Sequence, residues 1–221
     1  MTSIQVQEAS NPDLPHLFTI TSLAFQHTEP FWDLTFPSHD TPQGRSHGAH
    51  RFLLKRLSDP TIVYTKASIN TPSSSSNDKI VGMARWHICE GEAPPEREYE
   101  LPGGNPGYAG EEWEAYKRLS DAFMAKRNRA IRDSGGRIVV LDVLAVEPGF
   151  QGMGVGRRVV EWGVKRAGEL GTEVVVESSV EGRGFYERCG FEGRGRVVVE
   201  AGVEGWGRQE SVWMVWSGKG E

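Results

Sequence analysis

Residues 137–179, RIVVLDVLAVEPGFQGMGVGRRVVEWGVKRAGELGTEVVVESS, limit the fold more than any other part of this chain. The run IVVLDVLAV (138–146) is apolar apart from Asp142, the pattern of a strand covered on both faces. A turn carrying Gly149, Gly152, Gly154 and Gly156 follows. Residues 157–170 then place Val160, Gly163 or Val164, Ala167 and Leu170 on one side of a helix that Gly171 stops. TEVVVESS (172–179) is the next strand. A strand, a glycine turn, a helix and another strand in immediate succession predict a mixed α/β domain.

Ordered glycine costs backbone entropy, so this cluster needs a cause. A strand that feeds a glycine turn and then a helix is a device for holding phosphate, because the first amides of the helix are unpaired and the helix dipole favours negative charge. Arg157 and Arg158 agree with that use. Cations at a helix N-terminus are disfavoured by roughly 0.3–1 kcal/mol each, and a bound polyanion reverses the sign. The plain alternative is a tight turn with two arginines on solvent. The spacing excludes two common phosphate loops. Gly156 is followed by Arg157-Arg158 where the P-loop needs Lys-Ser/Thr, and Gly152-x-Gly154-x-Gly156 is not G-x-G-x-x-G.

The remainder reads as further mixed structure. Ile4–Gln7 suits a short strand and 14–25 a helix, with Leu14, Leu17 and Phe18 as its apolar side. EPFWDLTFP (29–37) suits a loop or a kinked short helix. Ala49–Leu57 suits a helix, and 61–67 and 79–88 suit two antiparallel strands around the solvated loop SINTPSSSSND. Residues 90–110, rich in Gly, Pro and Glu, carry no regular pattern. Residues 111–133 form a clear amphipathic helix, with Trp113, Tyr116, Leu119 and Phe123 in its stripe and Gly135-Gly136 as its stop. A helix from about Ser178 to Cys189 and strands at 196–201 and 211–216 complete the chain.

Composition narrows the function classes. With 221 residues, 38% hydrophobic and 25% charged, one substantial domain is expected. No apolar run approaches the ~20 residues of a membrane span, and MTSIQVQEASNPD lacks the layout of a secretory signal. Two cysteines, Cys89 and Cys189, fit a reducing compartment, so a cytoplasmic protein without a membrane partner is expected. A net charge of −5 speaks against nucleic acid. His39, His47 and His50 are close in sequence but lack a fourth ligand and firm spacing, so no metal is expected.

The loop Gln151-Gly152-Met153-Gly154-Val155-Gly156 fits Q-x-x-G-x-G and is preceded by Leu144-Ala145-Val146-x-Pro148. With FYERCGF at 185–191, one helix and one strand further on, it resembles the GCN5-related N-acetyltransferase (GNAT) superfamily. The resemblance is specific over about 138–192. It implies an α/β (α+β) fold with a mixed, mostly antiparallel central sheet in which the fourth and fifth strands splay. Residues 1–221 would form a single domain, and 90–136, longer than the usual connection there, a helical insertion. The 111–133 helix would then be a lid or wall over the acceptor, or a homodimer contact.

The same resemblance implies acetyl-CoA as cosubstrate and a primary amine of a small molecule or peptide as acceptor, joined by direct attack in a ternary complex. Main-chain groups of Leu144 and Val146 would pair with the pantetheine arm. Gln151, Gly152, Met153, Gly154, Val155 and Gly156, with Arg157, would hold the pyrophosphate. Tyr186 matches the tyrosine that in many members stands near the cofactor sulfur, where a phenol can protonate a leaving thiolate. Ser179 stands where the family often has an asparagine on the cofactor, although Ser178 and Glu181 also read as a capping box. An amine near pKa 10 must lose a proton before it attacks, and a carboxylate raised by burial could accept it. Asp142 and Glu177 are the candidates, with a water chain or an acid of the insertion as alternatives. Phe31 and Trp32 are either core or the lining of the acceptor pocket. Two rivals stay open: a non-catalytic acyl-CoA-binding module on the same fold, and a methyltransferase, whose glycine loop would open a parallel sheet.

Overall fold

The computed structural model describes residues 3–70, 78–91, 105–200 and 202–218. Most of the SINTPSSSSND loop and most of 90–110 lie outside these. Seven strands form one sheet in the order β1-β2-β3-β4-β5-β7-β6. They are β1 (Ile4–Glu8), β2 (Ile62–Ile69), β3 (Lys79–Glu90), β4 (Arg137–Val146), β5 (Val174–Ser178), β6 (Glu192–Glu200) and β7 (Arg208–Trp216). Among the described residues β4 and β5 are the parallel pair and every other pairing is antiparallel. The parallel sheet that a methyltransferase would need is therefore absent among them.

Among the described residues six α-helices cover the sheet: α1 (Leu14–Phe25), α2 (Pro30–Thr35), α3 (Pro42–Ser58), α4 (Gly110–Asp133), α5 (Val155–Leu170) and α6 (Arg183–Arg188). On one face α5 buries Val155, Val159, Val160 and Ala167 against Trp86, Val139, Leu141 and Val176. Gly163 is required there, since a Cβ would lie 2.1 Å from the Trp86 ring. On the other face Leu14, Leu17 and Phe18 of α1 and Phe52 of α3 pack on Tyr64, Met83, Val143 and Ala145. Beside them Ile131 of α4 packs on Ile138 and Val140.

Several expected boundaries move, among them the starts of β6 and β7, which come four and three residues early. α3 starts at Pro42, seven residues before Ala49, because Thr41 caps it through the Gly44 amide (3.0 Å) and Pro42 sits in its first turn. Ser178 belongs to β5, and α6 is the short turn Arg183–Arg188. The capping box of Ser178 and Glu181 does not form: Ser178 donates to the Ser179 carbonyl (2.7 Å), and it is Ser179 that accepts from the Gly182 amide (3.2 Å).

The feature that makes room for a ligand lies in β4. β4 pairs with β5 only over Val139–Leu141 and Val174–Val176. On its other side Arg85 lies opposite Val143 and Trp86 opposite Leu141, so Asp142 is an extra residue, a β-bulge. Before the bulge, Val139 and Leu141 face α5; beyond it Leu144 and Val146 do, while Val143 and Ala145 face α1. The alternation changes by one residue where β4 leaves β5, and the gap opens there.

Candidate active site

The gap leads into a cleft of about 1080 Å³ bordered by α1, α2, α4, β4, the glycine loop, β5 and α6. Of the positions singled out in the sequence, Asp142, Leu144, Val146, Glu177, Ser179 and Tyr186 all line it. So do Gln151, Gly152, Gly154, Val155, Gly156 and Arg157, together with Phe31 and Trp32. Met153 is outside the lining, with 57% of its surface exposed.

The glycine loop is a backbone surface. Gly152 (φ +75°) and Gly154 (φ +85°) occupy the left-handed region, and Gly154 is the N-cap of α5 with no side-chain cap. A Cβ on either would meet nothing within 4 Å, so the space above the first turn stays open. Gly156 has another reason: a Cβ there would lie 3.2 Å from the Phe185 ring. Arg157 and Arg158 are both exposed and both rest on Glu161, at 3.2 and 3.0 Å. Gln151 donates to the Val146 carbonyl (3.1 Å), so loop and splayed strand are joined at the place where the resemblance puts the pantetheine arm.

The other wall is made of side chains. Asp142 and Glu177 occupy the first positions beyond the last β4–β5 pair, and Arg127 of α4 lies between them. Its guanidinium donates to Asp142 Oδ1 (2.8 Å) and, through Nε and Nη2, to both oxygens of Glu177 (2.6–3.2 Å). Arg85 holds the second oxygen of Asp142. All four side chains are at most 14% exposed. Burial alone would raise the Asp142 carboxyl, but Arg127 and Arg85 outweigh it and hold the group well below the usual carboxylate range. The expectation of an Asp142 raised toward neutrality is therefore corrected: it is a fixed anion. Glu177 has no free oxygen either, since both accept from Arg127.

The acid that does have the expected character is Glu29, which the sequence did not single out. It is the N-cap of α2, lines the cleft, and is raised above its ordinary value by burial, with Glu181 adding to the rise and a hydrogen bond from Ser179 opposing it. Its charge is also felt by Tyr186, whose phenol is pushed up chiefly by burial and then by Cys189 and Glu29. Tyr186 is 8% exposed, edge-on to Phe185 and Phe191. A raised phenol stays protonated and donates a hydrogen bond more readily than a proton. The one available signal for Glu29 was its place just before Pro30, a helix start.

Phe31 and Trp32 divide the roles left open for them. Trp32 is 7% exposed and packs on Phe18, Phe25 and Phe36. Phe31 stacks on Phe123 of α4 (centroids 4.8 Å apart, 24°), so α2 and α4 meet as an aromatic wall. Phe123, Met124 and Arg127 all reach the cleft, which makes α4 part of it. Of the three histidines noted in the sequence, His39 is buried while His47 and His50 are exposed on α3.

Residues 121–193 match the model of an acetyltransferase (GNAT) domain. A 60-residue stretch is 40% identical to the peptidyl-lysine N-acetyltransferase YjaB of Escherichia coli strain K12; it spans 27% of this chain and 40% of that relative's length. Two solved structures share the whole fold at low identity. The polyamine N-acetyltransferase of Drosophila melanogaster, which forms N-acetylagmatine, is 18% identical with a TM-score of 0.62 over 97% of this chain and 98% of its own. The arylalkylamine N-acetyltransferase 2 of Aedes aegypti is 16% identical with a TM-score of 0.63 over 98% and 100%. With the loop at 151–156, the bulged and splayed fourth strand and the sheet order, residues 121–193 match an acetyltransferase (GNAT) domain and the chain shares the fold of these N-acetyltransferase structures.

Proposed function

We propose that this protein is an acetyl-CoA-dependent N-acetyltransferase whose acceptor is a small primary amine with an apolar body. The observation that carries this is one continuous cleft with a bare helix N-terminus at one end, lined further along by the burial-raised carboxylate Glu29 and by Tyr186. The thioester's pyrophosphate belongs over the amides after Gly154, and its pantetheine arm along Leu144 and Val146, beyond the last β4–β5 pair. Glu29 takes a proton from the ammonium, directly or through water, and the freed nitrogen attacks the thioester carbon. The C–N bond forms, the C–S bond breaks with Tyr186 donating a hydrogen bond to the departing thiolate, and the surplus proton on nitrogen passes through water to that sulfur, giving the amide and free CoA thiol. Ser179 holds Glu29 by the same hydrogen bond that lowers its carboxyl. No acyl-enzyme is needed, which leaves Cys89 and Cys189 without a step.

Phe31 and Phe123 supply an apolar side to the acceptor, and the anions of the floor are already matched by Arg85 and Arg127, so Glu29 with the neighbouring charge of Glu181 attracts a cation. Polyamine and arylalkylamine acceptors, named for the structural relatives, fit that combination. We read residues 1–221 as one domain in which 90–136 is an insertion acting as acceptor wall, in the cytoplasm. The test is thiol release from acetyl-CoA over a panel of arylalkylamines, polyamines, amino acids and N-terminal peptides. Turnover with an arylalkylamine or polyamine supports the assignment. Tight CoA binding without turnover on any amine would replace it with a binding module.

A further inference from the structure

Outside the cleft lining, His27, Asp33 and His39 bring two imidazoles and a carboxylate together, their ligand atoms all within 4.8 Å of one another. The group is held from behind. Ser22 Oγ donates to the His39 carbonyl (2.7 Å), accepts from Arg45 Nε (3.3 Å) and lies 3.0 Å from His39 Nδ1. His39 Nε2 faces Asp33 Oδ1 at 2.8 Å on a ring only 1% exposed. The second oxygen of Asp33 lies 3.2 Å from His27 Nδ1, so a second imidazole faces the same carboxylate.

We propose that His27 Nδ1, Asp33 and His39 Nε2 form a binding site for a divalent transition-metal ion of the zinc class. Two nitrogens and one oxygen suit zinc, whose bonds of ~2.0–2.2 Å set tetrahedral ligand atoms ~3.3–3.6 Å apart, so binding would part His39 Nε2 and Asp33 by about half an ångström. The other nitrogen of His39 is within hydrogen-bond distance of a partner, as metal-bound imidazoles favour, and that of His27 has a carboxylate at ion-pair distance. His39 Nδ1 has Ser22, and His27 Nε2 has Asp40 Oδ2 at 3.8 Å. His27 is 63% exposed, which leaves an open position to solvent. The ligands come from the end of α1, from α2 and from the turn before α3, so the ion staples three elements. Glu29, Phe31 and Trp32 lie between the first two ligands, and the staple fixes the acceptor side of the cleft. Metal binding itself does not depend on the acetyl-transfer assignment.

The test titrates the chelator-treated full chain with Zn²⁺ by calorimetry and with Co²⁺ by visible absorption. One saturable equivalent is expected, with a cobalt d–d band, and loss of both in His27→Ala and Asp33→Asn. Ser22→Ala, which removes an outer partner, should weaken binding ~10–100-fold. The exposed His27 carries the test if changes at buried His39 unfold the chain. No one-to-one isotherm on the unsubstituted protein, or equal affinity in His27→Ala, would overturn the proposal and leave a shared proton between His39 and Asp33.

Discussion

At the glycine loop the cleft is lined by main chain: two left-handed glycines, an uncapped helix start, and arginines paired only with their own Glu161. Across the gap it is lined by side chains from remote segments: Glu29 from α2, Phe123 and Arg127 from α4, Asp142 and Glu177 from the two parted strands. The first half can take a diphosphate with little rearrangement, since what it offers is direction and open space. The second half is held by buried charges, and its shape depends on each partner being present. The loop half thus rests on backbone geometry and the other half on paired side chains.

The sharpest way to break that contrast is Gly154→Asp. Aspartate tolerates the left-handed conformation better than most residues, so the fold should survive. Its carboxylate would stand where a diphosphate belongs, and CoA affinity in a calorimetric titration should fall at least ~100-fold. Unchanged affinity would remove the loop from the cosubstrate site.

On the acceptor side, Glu29→Gln should lower turnover by ~10²–10⁴-fold with acetyl-CoA affinity unchanged. Only the ionised carboxylate can accept a proton, so kcat/KM of the unsubstituted enzyme should fall as pH drops through the Glu29 pKa. That limb should sit above the ordinary glutamate value of ~4.3, because burial raises the group, and it should vanish in the glutamine variant. A pH profile common to both proteins would exclude Glu29 as the base.

Arg127→Met tests whether the charge lock is structural. It leaves Glu177 unpaired beside an Asp142 still held by Arg85, and denaturant unfolding should show a loss of ~3–5 kcal/mol. CoA affinity should change far less than the KM of the amine; equal effects on both would end the division into two halves. The smallest effect is expected from Tyr186→Phe. With its phenol raised, Tyr186 contributes one hydrogen bond rather than a full proton, worth about 1 kcal/mol, so turnover should fall roughly five- to tenfold and CoA affinity should hold.

The same division decided what could be read from residue order. The loop and its flanking strand and helix are local in sequence, and their glycines, periodicity and stops specify them directly. The beginning of α3 was hidden by Gly44, Ser46 and Gly48, although Thr41-Pro42 marks the start. Arg127 is 50 residues from Glu177, and nothing in the amphipathic pattern of α4 distinguishes it from the solvated arginines around it. Asp142 and Glu177 were visible as isolated charges in apolar strands, but their protonation depended on that distant guanidinium. Glu29 draws its character from burial against the turn at 179–181, a tertiary property.

The bulge at Asp142 implies that the cleft is a matter of counting. Remove that single residue and the last four positions of β4 would turn over: Val143 and Ala145 would point at α5, Leu144 and Val146 at α1. A ruler one notch shorter would let the fourth strand run on flush with its neighbour and zip shut the slot between them. Here one surplus residue, rather than any particular side chain, separates a sealed sheet from an open one.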